Sequence, residues 1–161
     1  MSHAPLIASQ LATTLLGQEL TTEECELLAQ IMTQKKLVKN EILFEEGDVD
    51  ETLYILVSGR LDVLKLIGGQ SPISMDSIKQ GGMVGDFVDT APHPMRVAAK
   101  TESIILLLHK DSFEALIAQQ PHLSYHVMRS ILRYCYQNQR KVNDKYLEMH
   151  RLVQNQYMAT Y

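Results

Sequence analysis

Apolar residues recur at helical spacing near the start of the chain, where Leu6, Ile7, Leu11, Leu15 and Leu16 share one side. They do so again in "LTTEECELLAQIM", with Leu27, Leu28, Ile31 and Met32 on one face. Thr21 and Thr22 followed by early acids supply a helix start, so the pattern predicts two short N-terminal helices. From Leu37 the period falls to two. Ile42 with Phe44, then Leu53, Ile55 and Val57, then Leu61 with Val63, alternate as half-buried strands do. "EEGDVDE", "VSGR" and "IGGQSP" put Gly47, Gly59 and Gly68-Gly69 at tight corners between these runs. Further on, Met95, Val97 and Ala99 alternate and "SIILLL" is apolar throughout, which predicts another pair of strands. "KDSFEALIAQQ" opens a helix that Pro121 bounds.

From His122 onward no residue breaks the helical pattern for almost forty residues. Tyr125, Met128, Leu132, Cys135, Gln139, Val142, Tyr146, Met149, Val153 and Gln156 alternate steps of three and four, the period of a coiled-coil seam. A helix lying on its own domain carries a shorter, wider apolar stripe, so a partner helix is expected, and the natural partner is a second copy. Gln139 would be a polar residue that fixes register within that seam. The expected organisation is a helical segment over residues 1–20, a β-roll domain over 21–120 and a dimerisation helix over 121–161.

Composition narrows the function classes. The chain has 161 residues, 45% of them hydrophobic and 21% charged, enough for one domain with a real core but not for a second. A net charge of -4 provides no general attraction to nucleic acid or an acidic membrane. Cys25 and Cys135 stand far apart with no CxxC or Cys/His spacing, which indicates neither a disulfide framework nor a zinc site. The N-terminus has no basic start before a continuous apolar run, and no segment reaches the length of a membrane span. A cytoplasmic protein without a bound cofactor is expected. His122 and His126 are one helical turn apart but lack the glutamate of a zinc-protease motif, and no nucleophile carries a triad-like signature, so no metal site and no enzyme activity are expected.

The chemistry concentrates in "GGMVGDFVDTAPHPMRVAA", Gly81 to Ala99, whose glycines, acid, histidine and arginine suit an anion cradle. Taken with "EILFEEGDVDETLYILVSGRLDVLK" before it and "DSFEALIAQQP" after it, the order of motifs resembles the cyclic nucleotide-binding domain family, in particular the sensor half of catabolite activator proteins. The resemblance covers roughly Thr21 to Lys141. It implies an α+β fold: an antiparallel, jelly-roll-like β-roll (a double-stranded β-helix) flanked by short N-terminal helices and a long C-terminal dimer helix.

The resemblance also assigns a phosphate-binding cassette. Gly85 stands at its glycine, followed by Asp86 where the family has a glutamate for the ribose, then Phe87 and Val88, the latter where a small residue is expected. Asp89 places a second carboxylate before the anion. Counting forward from "VGD" puts Arg96 at the phosphate-binding arginine; counting back from the next strand puts His93 there and turns Arg96 outward. Both positions remain candidates. Asn138 and Gln139 on the long helix fall where the activator branch reads the purine. That branch continues into a helix-turn-helix domain and this sequence does not, so sequence-specific DNA binding by this chain alone is not expected. Two readings follow: a dimeric sensor that takes a cyclic nucleotide or another small anion with altered specificity, or a ligand-free dimerisation module on the same fold.

Overall fold

The computed structural model describes residues 3–159. Helix α1, Ala4–Ala12, begins with proline in its first turn and buries Ile7, Ala8 and Leu11. A short 3₁₀ turn at Gly17–Glu19 leads to α2, Thr22–Ala29, which a complete capping box starts. Glu24 N donates to Thr21 Oγ1 at 3.2 Å and Thr21 N donates to Glu24 Oε2 at 2.9 Å, so two orphan donors of the helix end are satisfied. Helix α2 stops before Ile31 and Met32, which the helical face was expected to include. They lead instead into β1, Thr33–Leu37, a strand of sequence TQKKL whose only buried residue is Leu37. Hydrophobic alternation does not announce it; backbone pairing with a later apolar strand holds it at a sheet edge.

The remaining strands are β2 (Ile42–Phe44), β3 (Thr52–Ser58), β4 (Leu61–Lys65), β5 (Ile73–Ile78), β6 (Met83–Asp86), β7 (Arg96–Ala99) and β8 (Ser103–His109). They form two antiparallel four-stranded sheets in the orders β1-β8-β3-β6 and β2-β7-β4-β5. The segments around Val97 and Leu106 are therefore strands, as expected, but not a pair: β7 and β8 lie in opposite sheets. Strand β3 is not half-buried either. Its Leu53, Ile55 and Val57 pack with Leu106, Leu108, Phe113, Leu123 and Val127 against the helices. Tyr54 and Leu56, on the other face, fill the roll interior with Phe44, Leu61, Val97, Ala99 and Ile105. A strand at the centre of a roll has helices on one side and the facing sheet on the other, so both of its faces are buried.

Helix α3, Lys110–Ile117, precedes α4, Pro121–Met158, of 38 residues. At 1.5 Å per residue α4 is about 57 Å long. It buries Leu123, Ser124, Val127 and Ser130 against the domain and half-buries Ile131, Tyr134 and Asn138; the turns beyond are exposed. No helix among the described residues is long and apolar enough to cross a membrane.

Candidate functional site

Strand β6 carries the candidate cassette and β3 fixes its position, with Gly85 opposite Leu53 and Asp86 opposite Thr52. Gly85 has φ +87°, and a Cβ there would lie 2.5 Å from the Thr52 carbonyl oxygen and 2.8 Å from Tyr54 Cδ2. Only glycine meets both demands. Asp86 then turns its carboxylate back on its own loop, where Val88 N donates to Asp86 Oδ1 at 2.7 Å. A backbone N–H of the kind that cradles an anion is thus satisfied from within the chain. Val88 itself is exposed, and Asp89 with it. Phe87 points the other way, into the core, with its ring centroid 5.2 Å from that of Phe113. It braces the loop rather than facing the cradle.

His93 and Arg96 part company. Strand β7 puts Val97 and Ala99 into the roll interior, so Arg96 lies on the outer face, where its Nε donates to Glu45 Oε2 at 2.7 Å. His93 sits in the cradle wall with only 7% of its surface exposed. Its ring stacks on Phe44 at 3.7 Å and 14°, and Nε2 lies 2.8 Å from Asp50 Oδ2. A carboxylate only accepts, so Nε2 carries the proton in that bond. The backbone closes the arrangement: His93 N donates to Asp48 O at 2.8 Å and Gly47 N donates to His93 O at 2.9 Å. Lys65 Nζ, donating to Pro94 O at 2.9 Å, anchors the same loop.

Asp50 is the hub of this wall. It also accepts from Tyr54 Oη at 2.9 Å and from Thr52 N at 3.1 Å. Burial, with the Asp50 carboxylate beside it, pushes the Tyr54 hydroxyl well above the usual phenol range, so it remains a donor. Sequence reasoning missed Asp50, Tyr54 and Phe44 as site residues. An acid in the "EEGDVDE" corner reads as a solvated turn residue, and nothing in its spacing shows the histidine 43 positions later that meets it.

Three recesses adjoin. One of about 260 Å³ lies within the roll beside Phe44, His93 and Val97, below the roughly 300–1,000 Å³ usual for ligand pockets. A second, about 440 Å³, opens between β6 and α4 beside Phe87, Tyr134, Cys135 and Asn138. A third, about 450 Å³, lies between β5 and α4 beside Lys79, Tyr134, Asn138, Lys141 and Lys145. Val84 lines all three, so these separate recesses are neighbours and are taken together as the trough between the roll and the long helix. Asn138 faces that trough, whereas Gln139 is exposed on the seam side. Met128, Leu132, Val142, Tyr146, Met149 and Val153 are 38–61% exposed and Cys135 is exposed too, so the apolar seam is uncovered in the single chain. Of the two helix histidines, His126 is engaged, with Nδ1 2.6 Å from Glu24 Oε1.

Residues 34–120 match the model of the cyclic nucleotide-binding domain. The chain belongs to that family. Among curated relatives, the anaerobic regulatory protein of Bacillus subtilis is 25% identical over 122 residues, which are 74% of this chain and 51% of that protein. The cAMP-dependent protein kinase regulatory subunit of Blastocladiella emersonii is 23% identical over 113 residues, 69% of this chain and 28% of that protein. The chain thus spans about half of one relative and under a third of the other. In fold it is similar to a cyclic nucleotide-binding domain from Methylobacillus flagellatus, with TM-score 0.77, 21% identity, and 90% and 83% of the two chains covered. It is also similar to the catabolite activator protein of Thermus thermophilus, with TM-score 0.66, 18% identity, and 81% and 62% covered. In this chain the recess wall holds a buried, acid-paired His93, and Asp86 caps its own loop.

Proposed function

We propose that this chain is a non-enzymatic, cytoplasmic regulatory module of the cyclic nucleotide-binding family. It senses a small anionic ligand with altered specificity and passes its occupancy to a homodimer of long helices. The observation that carries the reading is the His93–Asp50 pair in the cradle wall. A cyclic phosphate entering here would find no arginine lining the recess among the described residues, would meet the Asp86 carboxylate at the loop, and would have Asp50 behind the histidine. Loss of a charge-assisted bond costs about 1.5–3 kcal/mol. A carboxylate about 6 Å from the phosphate adds about 2–3 kcal/mol of repulsion at an effective dielectric near 20. Together these remove roughly two and a half to four and a half decades of affinity.

The trough supports a sensor. Cys135 and Val142 belong to the seam pattern and also line the recesses, so a ligand there touches residues that a partner helix would cover. Both cysteines are free thiols, as suits a reducing compartment. The curated relatives are named as a regulatory protein and a regulatory subunit, which supports a regulatory role. A ligand-free dimerisation module is favoured by the small roll recess alone. Calorimetric titration with cyclic mononucleotides, cyclic dinucleotides and nucleoside phosphates separates the two. The proposal expects no tight cyclic AMP binding and saturation by another anion; silence throughout the panel would favour the ligand-free module.

A further inference from the structure

The trough is polarised, and its charge runs opposite to a phosphate-in-the-roll arrangement. At the roll end stand Asp86 and, behind His93, Asp50. At the helix end, Tyr134, Asn138, Lys141 and Lys145 follow one another in steps of four, three and four and so share one face of α4. Lys79, just past β5, faces them across the recess. Lys79 and Lys141 make no ion pair among the described residues, and Lys145 is 3.8 Å from the exposed Asp76 carboxylate. Three ammonium groups against one carboxylate leave that recess with an excess of two positive charges. Its floor is apolar, made by Leu15, Val63, Ile78, Met83, Val84 and Val142. Tyr134 and Asn138 supply a hydroxyl and an amide between floor and rim.

The geometry points to a binding site for an amphipathic organic anion between β5 and α4, with the apolar body on the Val63–Val84 floor and the acid group held by Lys79, Lys141 and Lys145. The inference rests on the reading of the module as a small-anion sensor and names the ligand class and its orientation. An apolar floor with a few convergent charged groups at the rim is the usual build of a small-molecule site. Lysine suits a rim that must follow ligands of different reach, because its ammonium sits on a flexible stem. The site ends at Val142 on the seam, so its occupancy is placed beside the partner helix.

Anilinonaphthalene sulfonate, an amphipathic anion that fluoresces on leaving water, is the probe. The full chain is titrated by fluorescence and by calorimetry at low and moderate salt, alongside the variants Lys79→Gln/Lys141→Gln and Lys39→Gln/Lys100→Gln, the latter on the outer face of the β2–β7–β4–β5 sheet. The expected result is saturable binding at one probe per chain, weakened roughly tenfold or more in the first variant, as loss of charge-assisted contacts requires, and within about twofold of the natural chain in the second. Inorganic phosphate alone should compete weakly, because it has no apolar body. Equal binding by all three proteins, equal loss in both variants, or no saturable binding by the natural chain overturns the site. Tight cyclic AMP binding, by contrast, overturns the altered-specificity reading and leaves the lysine test to stand or fall by itself.

Discussion

His93 Nε2 lies 2.8 Å from Asp50 Oδ2, and the two residues come from loops 43 positions apart. In the proposed reading that pair occupies the place in the recess wall from which an anion would be held. Removing the acid and replacing the imidazole with a longer, permanently charged side chain should reverse the effect. His93→Arg with Asp50→Asn keeps an acceptor for Tyr54, removes the competing carboxylate and supplies a permanent charge with a bidentate fork. The double variant should gain at least about tenfold in cyclic AMP affinity over the natural chain by calorimetry. An equal, undetectable affinity in both would show that the wall is not what limits binding.

Arg96→Ala tests the other side of the same strand. Arg96 pairs with Glu45 on the outer face, and such partly exposed pairs are worth about 0–1 kcal/mol. Thermal unfolding should shift by no more than that, and anion binding by the module should stay within about twofold. A large loss of binding would place the guanidinium at the ligand.

Gly85→Ala should destabilise the domain by roughly 1–3 kcal/mol in urea denaturation, because φ +87° and the Thr52 carbonyl both oppose a side chain. An unchanged midpoint would mean that β6 relaxes away from β3.

The seam predicts its own disruption. Leu132→Glu with Val142→Glu should convert a dimer by light scattering into monomers, since unpaired charge would be buried at both positions. Mild oxidation should link two natural chains through Cys135 if the helices run parallel and in register. A doubly substituted protein that remains dimeric would assign the interface elsewhere.

Glu24 joins α2 to α4 through His126, and this contact has a pH signature. Desolvation alone raises the Glu24 carboxyl, but the Thr21 N–H and the His126 ring together outweigh it and hold the group below the usual glutamate range. A depressed folded value stabilises above the unfolded value of about 4.3 and is lost as pH falls through the folded value. Glu24→Gln should therefore cost about 1 kcal/mol at neutral pH, the difference closing on acidification below about pH 4. A penalty independent of pH would mean that the side chain acts by packing alone.

The architecture was legible where apolar residues recur with a period in the sequence, although both faces of β3 are buried. Ile42 to Val63 alternate, the long helix repeats every three and four residues, and Gly47 and Gly59 mark corners that the backbone does adopt at positive φ. Strand β1 was not legible, because edge pairing with β8 carries it and its side chains are mostly polar and exposed. Nor was the separation of β7 from β8, because alternation reports a strand's faces but not its neighbours. In the site, Gly85 follows from local rules and the outward turn of Arg96 was one of two counts that the sequence left open, whereas Asp50 reaches His93 only through the fold. Phe87 shows the same limit: its place in the cassette pattern does not reveal that it packs against Phe113 in the core while also lining the recess beside α4.

The most direct test of the account is a calorimetric titration of the natural 161-residue chain with cyclic AMP at neutral pH. The Asp50–His93 pair and the self-capped Asp86 loop predict no saturable heat below millimolar ligand. Saturation at micromolar cyclic AMP, abolished by Arg96→Ala, would contradict it.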